Sequence, residues 1–294
     1  MVKRYGRTTA LDLSLTVGRG ELLGLLGPNG AGKTTAIKIL LGLARPTSGG
    51  GSVLGAPLGD RETRTRIGYL PELFRYQPWL HAHEVLELHA ELARVPRSSR
   101  SRAVAAALDR VGLADRADDR VATFSKGMQQ RLGLGVALLG EPDLVLLDEP
   151  TSALDPVGRT DVRAIVREAR DRGATVILNS HLLAEVERVC DRVVILHHGR
   201  AIAAGTLDEV VAVDGARLHV TDQSEAVTAA AARFGPVDVD GPWLTVRPLA
   251  ADRIPDLVAA VVASGGRIHA VEPGRGSLEA RFLELLAEPD EGEA

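Results

Sequence analysis

Residues 22–34 read Leu-Leu-Gly-Leu-Leu-Gly-Pro-Asn-Gly-Ala-Gly-Lys-Thr, a short apolar strand running into a glycine-rich turn. Apolar periodicity then carries a helix from Lys33 to about Leu43, closed by Pro46-Thr47-Ser48-Gly49-Gly50-Gly51. Strand, G-x-x-x-x-G-K-[ST] and helix in that order form a phosphate-binding unit. The glycines let successive backbone N–H groups of Gly27, Pro28, Asn29, Gly30, Ala31 and Gly32 curl around phosphate oxygens, Pro28 itself lacking an N–H. The helix behind them presents its positive end to the same anion. Lys33 is placed to bridge the terminal phosphates, the Thr34 hydroxyl to bind Mg²⁺, and Thr35 to make a further phosphate contact. Lysine occurs at only three other positions, 3, 38 and 126, in a chain whose positive charge is otherwise arginine. Lys33 stands out against that background.

Other apolar runs alternate with helical stretches. Arg66–Leu70, Leu144–Leu147, Thr175–Leu178 and Val193–Leu196 suit strands of a largely parallel sheet, with a helix over Asp161–Arg172 and a helical region from about 72 to 140. The run Leu144–Leu147 ends in Asp148-Glu149-Pro150. Ligands of open α/β sheets gather at the carboxyl ends of strands, so both acids should face the phosphates. Asp148 suits the Mg²⁺ shell and Glu149 the orientation of an attacking water. An acidic helix cap is the plainer reading, which the phosphate loop upstream makes less apt. Asn179-Ser180-His181 follows another strand, so His181 should reach the same edge and hydrogen-bond the terminal phosphate.

Phe124-Ser125-Lys126-Gly127-Met128-Gln129-Gln130-Arg131, lying between these motifs, resembles the signature motif of ABC ATPases. Phe124, Lys126 and Met128 depart from the usual Leu-Ser-Gly-Gly-Gln, while Ser125 and Gly127 are kept. The resemblance extends over most of residues 1–213, and the variant signature looks like that of the drug-export branch. It implies a P-loop NTPase of ABC type: a mixed-sheet core with a helical subdomain, ATP and Mg²⁺ as ligands, and ATP hydrolysis coupled to transport. It implies that Tyr5 stacks on adenine and that Asp155, in Ser152-Ala153-Leu154-Asp155-Pro156, crosses a dimer interface. Glu149 and His181 become the catalytic pair. Two subunits would sandwich two nucleotides, with Ser125 and Gly127 acting on the partner's ATP. The implied partners are a second nucleotide-binding subunit and an integral-membrane permease. The chain would sit in the cytoplasm, peripheral on the inner face of the cell membrane, and would export a hydrophobic, drug-like compound.

Two departures carry expectations of their own. Glu72 stands where the family has a glutamine, so a carboxylate reaches toward the metal and adds negative charge beside the γ-phosphate. The chain also begins almost on Tyr5, so the strand that precedes this aromatic in the family is expected to be absent and Tyr5 poorly anchored.

The rest of the sequence bounds the alternatives. Formal net charge is −4, which speaks against nucleic acid. A soluble ABC ATPase acting on ribosomes or DNA is the rival; one uninterrupted module without heptads disfavours it. Cys190 is the only cysteine, excluding an internal disulfide and fitting a reducing compartment. No apolar run approaches the roughly eighteen residues of a spanning helix, so a pore would belong to another chain. Phe74, Tyr76, Trp79 and Leu80 either receive a helix of the permease or pack the helical region. His81, His83 and His89 read as an unmetallated helical face. From 214 to 294 the order β-α-β-β-α-β plus a final helix predicts a small α+β ferredoxin-like domain, which either stabilises the dimer or supports the permease. Glu288–Ala294 is expected to fray.

Overall fold

The computed structural model describes residues 1–211 and 213–287, so the expected fraying of Glu288–Ala294 falls outside the described residues. The chain divides into two compact units, Met1–Ala204 and Gly205–Ala294. The break therefore lies at 204/205 and not at the expected 213/214. It comes early because Thr206 already N-caps a short helix of the second unit, accepting a bond from Glu209 N at 3.3 Å.

The first unit opens with a hairpin, β1 (Val2–Tyr5) against β2 (Thr8–Asp12). Gly6, at φ 60°, takes the first turn position, which only glycine enters without strain. The expectation of a missing strand before an unanchored Tyr5 is thus corrected: Tyr5 is the last residue of a paired strand. Thr47 N donates to Val2 O at 2.7 Å and Met1 N to Leu13 O at 2.8 Å, which fastens the hairpin to the core.

β3 (Leu22–Leu26), α1 (Lys33–Leu40), the two-stranded β4 (Ser52–Val53) and β5 (Ala56–Pro57), α2 (Arg61–Arg64) and β6 (Ile67–Leu70) follow. The helical region begins only at Ala82, with α3 (Ala82–Leu92), α4 (Arg100–Arg110) and α5 (Lys126–Ala137). β7 (Leu144–Asp148), α6 (Pro156–Asp171), β8 (Thr175–Asn179), α7 (Leu183–Val189), β9 (Arg192–His197) and β10 (Arg200–Thr206) complete the order. α6 starts five residues before the expected Asp161 because Asp155 caps it, accepting from Gly158 N at 2.8 Å, and Pro156 fits its first position.

The main sheet has the order β10-β9-β3-β8-β7-β6, with parallel pairs from β9 through β6. The two-residue link His198-Gly199, both at positive φ, forces β10 to run antiparallel to β9 and makes the sheet mixed. β3, β7 and β8 are buried along their whole length, as continuous apolar strands covered on both faces must be. Leu23, Leu25, Ile37, Ile39, Leu146 and Ile177 form the core beneath the phosphate loop. Parallel register puts the carboxyl ends of β3, β6, β7 and β8 on one edge.

In the second unit α8 (Leu207–Val210) precedes β11 (Val213–Thr221), α9 (Glu225–Ala232), β12 (Val237–Asp240), β13 (Trp243–Val246), α10 (Ile254–Ala263), β14 (Arg267–Arg275) and α11 (Leu278–Ala287). Its sheet has the order β12-β13-β11-β14 with every pair antiparallel, the split βαβ arrangement. Leu218, Val220, Val227, Leu244, Val246, Leu257 and Val261 fill its own core.

Candidate nucleotide site

The phosphate loop leaves β3 with backbone geometry that side chains resist. Gly27, Gly30 and Gly32 take φ of 149°, 84° and 104°. A Cβ on Gly27 would lie 2.4 Å from Leu196 O, and one on Gly32 would lie 2.6 Å from Ala10 O. Gly32 stands at the N-cap of α1, so the next residues, Lys33 and Thr34, begin the helix where its N–H groups are unpaired. Lys33 Nζ is held by the carbonyl oxygens of Gly27 (2.5 Å) and Pro28 (3.0 Å). Thr34 is exposed and Thr35 half-buried at the same helix start.

Asp148 ends β7 and Asn179 ends β8, opposite each other in register. Asn179 Nδ2 donates to Asp148 Oδ1, and both side chains are buried. Glu149 follows with φ 55°, a left-handed conformation rare outside glycine and costing on the order of 1–3 kcal/mol. Its surroundings hold it there. Glu149 N donates to Asn179 O (2.9 Å), while Glu149 O accepts from Gln130 Nε2 (3.2 Å) and Ser152 Oγ (3.1 Å). Its carboxylate accepts the His181 backbone N–H at Oε1 (2.8 Å), and His181 Nδ1 lies 2.7 Å from Oε2. Ser180 Oγ adds a bond to Oε2 at 3.4 Å. The carboxylate is thus almost enclosed while the imidazole stands 66% exposed. An enclosed base beside an exposed ring can act together on a ligand that arrives from solvent.

Charge concentrates here. Burial lowers the Lys33 ammonium's pKa, and the charges of Glu149, Asp148 and Glu72 push it back up. Burial raises the Asp148 carboxyl's pKa; Glu72 and Glu149 reinforce that, while the Asn179 bond and Lys33 oppose it. Tyr69, on β6, is raised first by burial and then by Asp148 and Glu72. Glu72 itself is exposed just past β6, near enough for its charge to act on Lys33 and Asp148.

The remaining sequence-derived residues sit on the β1 hairpin, at the start of α5 and at the start of α6. Ser125 caps α5, accepting from Met128 N at 3.2 Å, and a Cβ on Gly127 would lie 3.3 Å from Leu154. Asp155 follows Leu154, so Ser125, Gly127 and Asp155 make a second cluster. Gln130, one turn into α5, links that helix to Glu149 through the bond described above. Tyr5 is half exposed, with Lys3 Nζ 4.9 Å over its ring, so one ring face has a cation and the other remains for stacking. Sequence reasoning assigned no role to Gln130, Asn179 or Ser180. Their signal is position: Gln130 lies inside the run Phe124 to Arg131, and Asn179 and Ser180 immediately precede His181.

The family model "ABC transporter" matches residues 10–152. The linearmycin resistance ATP-binding protein LnrL of Bacillus subtilis is 39% identical over 207 residues, covering 69% of this chain and 67% of that protein. Nod factor export ATP-binding protein I of Burkholderia orbicola is 40% identical over 206 residues, covering 69% and 68%. Among solved structures, an ATP-binding subunit of an ABC transporter aligns with a TM-score of 0.66 at 37% identity, over 71% of this chain and 88% of that one. A dimeric ATP-binding cassette in a post-hydrolysis state, bound to ADP and Pi, aligns with a TM-score of 0.64 at 25% identity, over 70% and 95%. An ABC transporter ATP-binding protein of Nostoc sp. is 42% identical over 282 residues, 94% of this chain and 83% of the relative. A match running most of the length of both proteins means that the chain belongs to the ABC transporter ATP-binding proteins, a family of ATPases.

Proposed function

We propose that this chain is the ATP-hydrolysing subunit of an exporter, powering movement of a hydrophobic, drug-like compound through a separate membrane permease. The observation that carries the reading is the pairing of Glu149 with His181 on the sheet edge that also holds Lys33 and Asp148. Glu149 orients and polarises the attacking water, and the exposed His181 imidazole beside it hydrogen-bonds the γ-phosphate. Lys33 and the loop amides of residues 27–34 bind the phosphates, and adenine stacks on Tyr5.

Three carboxylates around one ammonium would repel a polyphosphate, so a divalent cation suits the site. The donors fit Mg²⁺: an exposed Thr34 hydroxyl and the Asp148 oxygen left free by Asn179 are hard oxygens, and nucleotide phosphates supply the rest. Glu72 is a further oxygen donor. Bound Mg²⁺ would neutralise charge developing on the phosphoryl oxygens.

Ser125, Gly127 and Asp155 act on the nucleotide of a second copy, giving a homodimeric sandwich. Leu73 and Trp79 are exposed at 88% and 66%, whereas Phe74 and Tyr76 pack on each other at 5.3 Å. The first pair offers the permease an apolar contact; the second pair belongs to packing. Among the described residues no helix is long and apolar enough to cross a membrane, which agrees with a pore in another chain. The export direction is supported by likeness to relatives named for linearmycin resistance and Nod factor export. We assign the chain to the cytoplasmic face of the membrane, and the 205–294 unit to dimer stabilisation or permease support.

Glu149→Gln should lower turnover by about 10²-fold or more while ATP binding persists, trapping a dimer visible by size-exclusion chromatography. Normal turnover in that variant would remove Glu149 from the mechanism.

A further inference from the structure

Asn179 enters the chemistry above only through its bond to Asp148, yet it touches both acids. Its side-chain Nδ2 donates to Asp148 Oδ1, and its main-chain oxygen accepts the Glu149 N–H. Asn179 is 4% exposed. Among the described residues, its Oδ1 is the one buried side-chain polar atom without a hydrogen-bond partner. Such an orphan is costly, on the order of 1–3 kcal/mol, and calls for an explanation. Turning the amide over does not remove it. The oxygen would then face the Asp148 carboxylate oxygen and the two acceptors would repel. A plain cross-link between β7 and β8 needs only the donor, and a residue with no unused acceptor would serve as well.

The Mg²⁺ shell supplies what the orphan lacks. Metal-bound waters are strong donors, and the outer-shell partners of a metal site fix its inner ligands. With Oδ1 of Asp148 committed to Asn179, the other carboxylate oxygen is the one left for the metal. We propose that Asn179 is a positioning residue for Mg²⁺: its amide nitrogen fixes the rotation of the Asp148 carboxylate, and its amide oxygen accepts from a water of the Mg²⁺ shell. The inference rests on the Mg²⁺–ATP reading above and extends it to Asn179.

The test uses the full chain and a fluorescent ATP analogue. Affinity is measured in EDTA and then across a Mg²⁺ titration, for the wild type, Asn179→Leu and Asn179→Ser. Leucine keeps the branching at Cγ, with more bulk, but has no polar end; serine stays polar but is one bond too short to reach Asp148. Circular dichroism verifies folding of each, and serine answers the question if leucine fails to fold. The expected result is unchanged affinity in EDTA, with half-maximal Mg²⁺ enhancement moved to about tenfold higher Mg²⁺ or more. A wild-type Mg²⁺ midpoint in the folded variants overturns the proposal, as does an equal loss of affinity in EDTA and Mg²⁺, the mark of a structural cross-link. If Mg²⁺ leaves the wild type's own affinity unchanged, the metal reading falls together with this one; the variant results alone leave that reading standing.

Discussion

At the scale of single residues, the phosphate loop separates two costs that glycine avoids. Gly30, at φ 84°, has open space where a Cβ would stand, so Gly30→Ala should lose only the left-handed backbone term, roughly 1–2 kcal/mol. Gly27→Ala adds a Cβ 2.4 Å from Leu196 O, a backbone atom of a buried strand, and should lose clearly more, roughly 3 kcal/mol or above. Urea denaturation of the two variants measures the gap; equal losses would mean that the loop moves freely away from β9. These glycines, Lys33, Asp148 and Glu149 were legible because each belongs to a contiguous pattern whose meaning is local. Asn179 and Gln130 were not. Their partners, Asp148 and Glu149, are 31 and 19 residues away, so the runs that contain the two amides do not reveal whom they meet.

Secondary elements show a similar division. Fully buried strands such as β3, β7 and β8 announce themselves as apolar runs, whereas the β1/β2 hairpin hides in a polar stretch held by tertiary bonds to Thr47 and Leu13. Capping governed the edges: Asp155 starts α6 earlier than apolar periodicity suggests. On α3, His89 packs edge-on against Tyr76 at 5.6 Å, and burial lowers its pKa. The unfolded chain therefore takes up that proton more readily than the folded one. His89 contributes a penalty that grows as pH falls below the ordinary value of about 6.5, and stability recovers as pH rises through that window. His89→Gln should accordingly gain on the wild type between pH 7 and pH 5 in paired urea titrations. A difference between the two that does not change with pH would show that His89 charges freely in the folded protein.

Over the whole molecule, Cys190 offers a reporter of global opening. It is 6% exposed, and burial pushes its thiol pKa far up, so alkylation must wait for unfolding. ATP at about 100 times its Kd should slow that alkylation by up to ~100-fold, because ligand bound only to the native state adds to its stability by mass action. A rate indifferent to ATP would place the reaction in a local opening around α7. The largest consequence belongs to the proposed division of labour between Lys33, Asp148 and Glu149 on one side and Ser125, Gly127 and Asp155 on the other. In the proposed sandwich neither group completes a site alone, so dilute protein should turn over ATP with second-order dependence on its own concentration. Two copies seated under one permease would instead meet at an effective concentration in the millimolar range. Stray subunits would then stay idle, and fuel would be consumed where there is cargo to move.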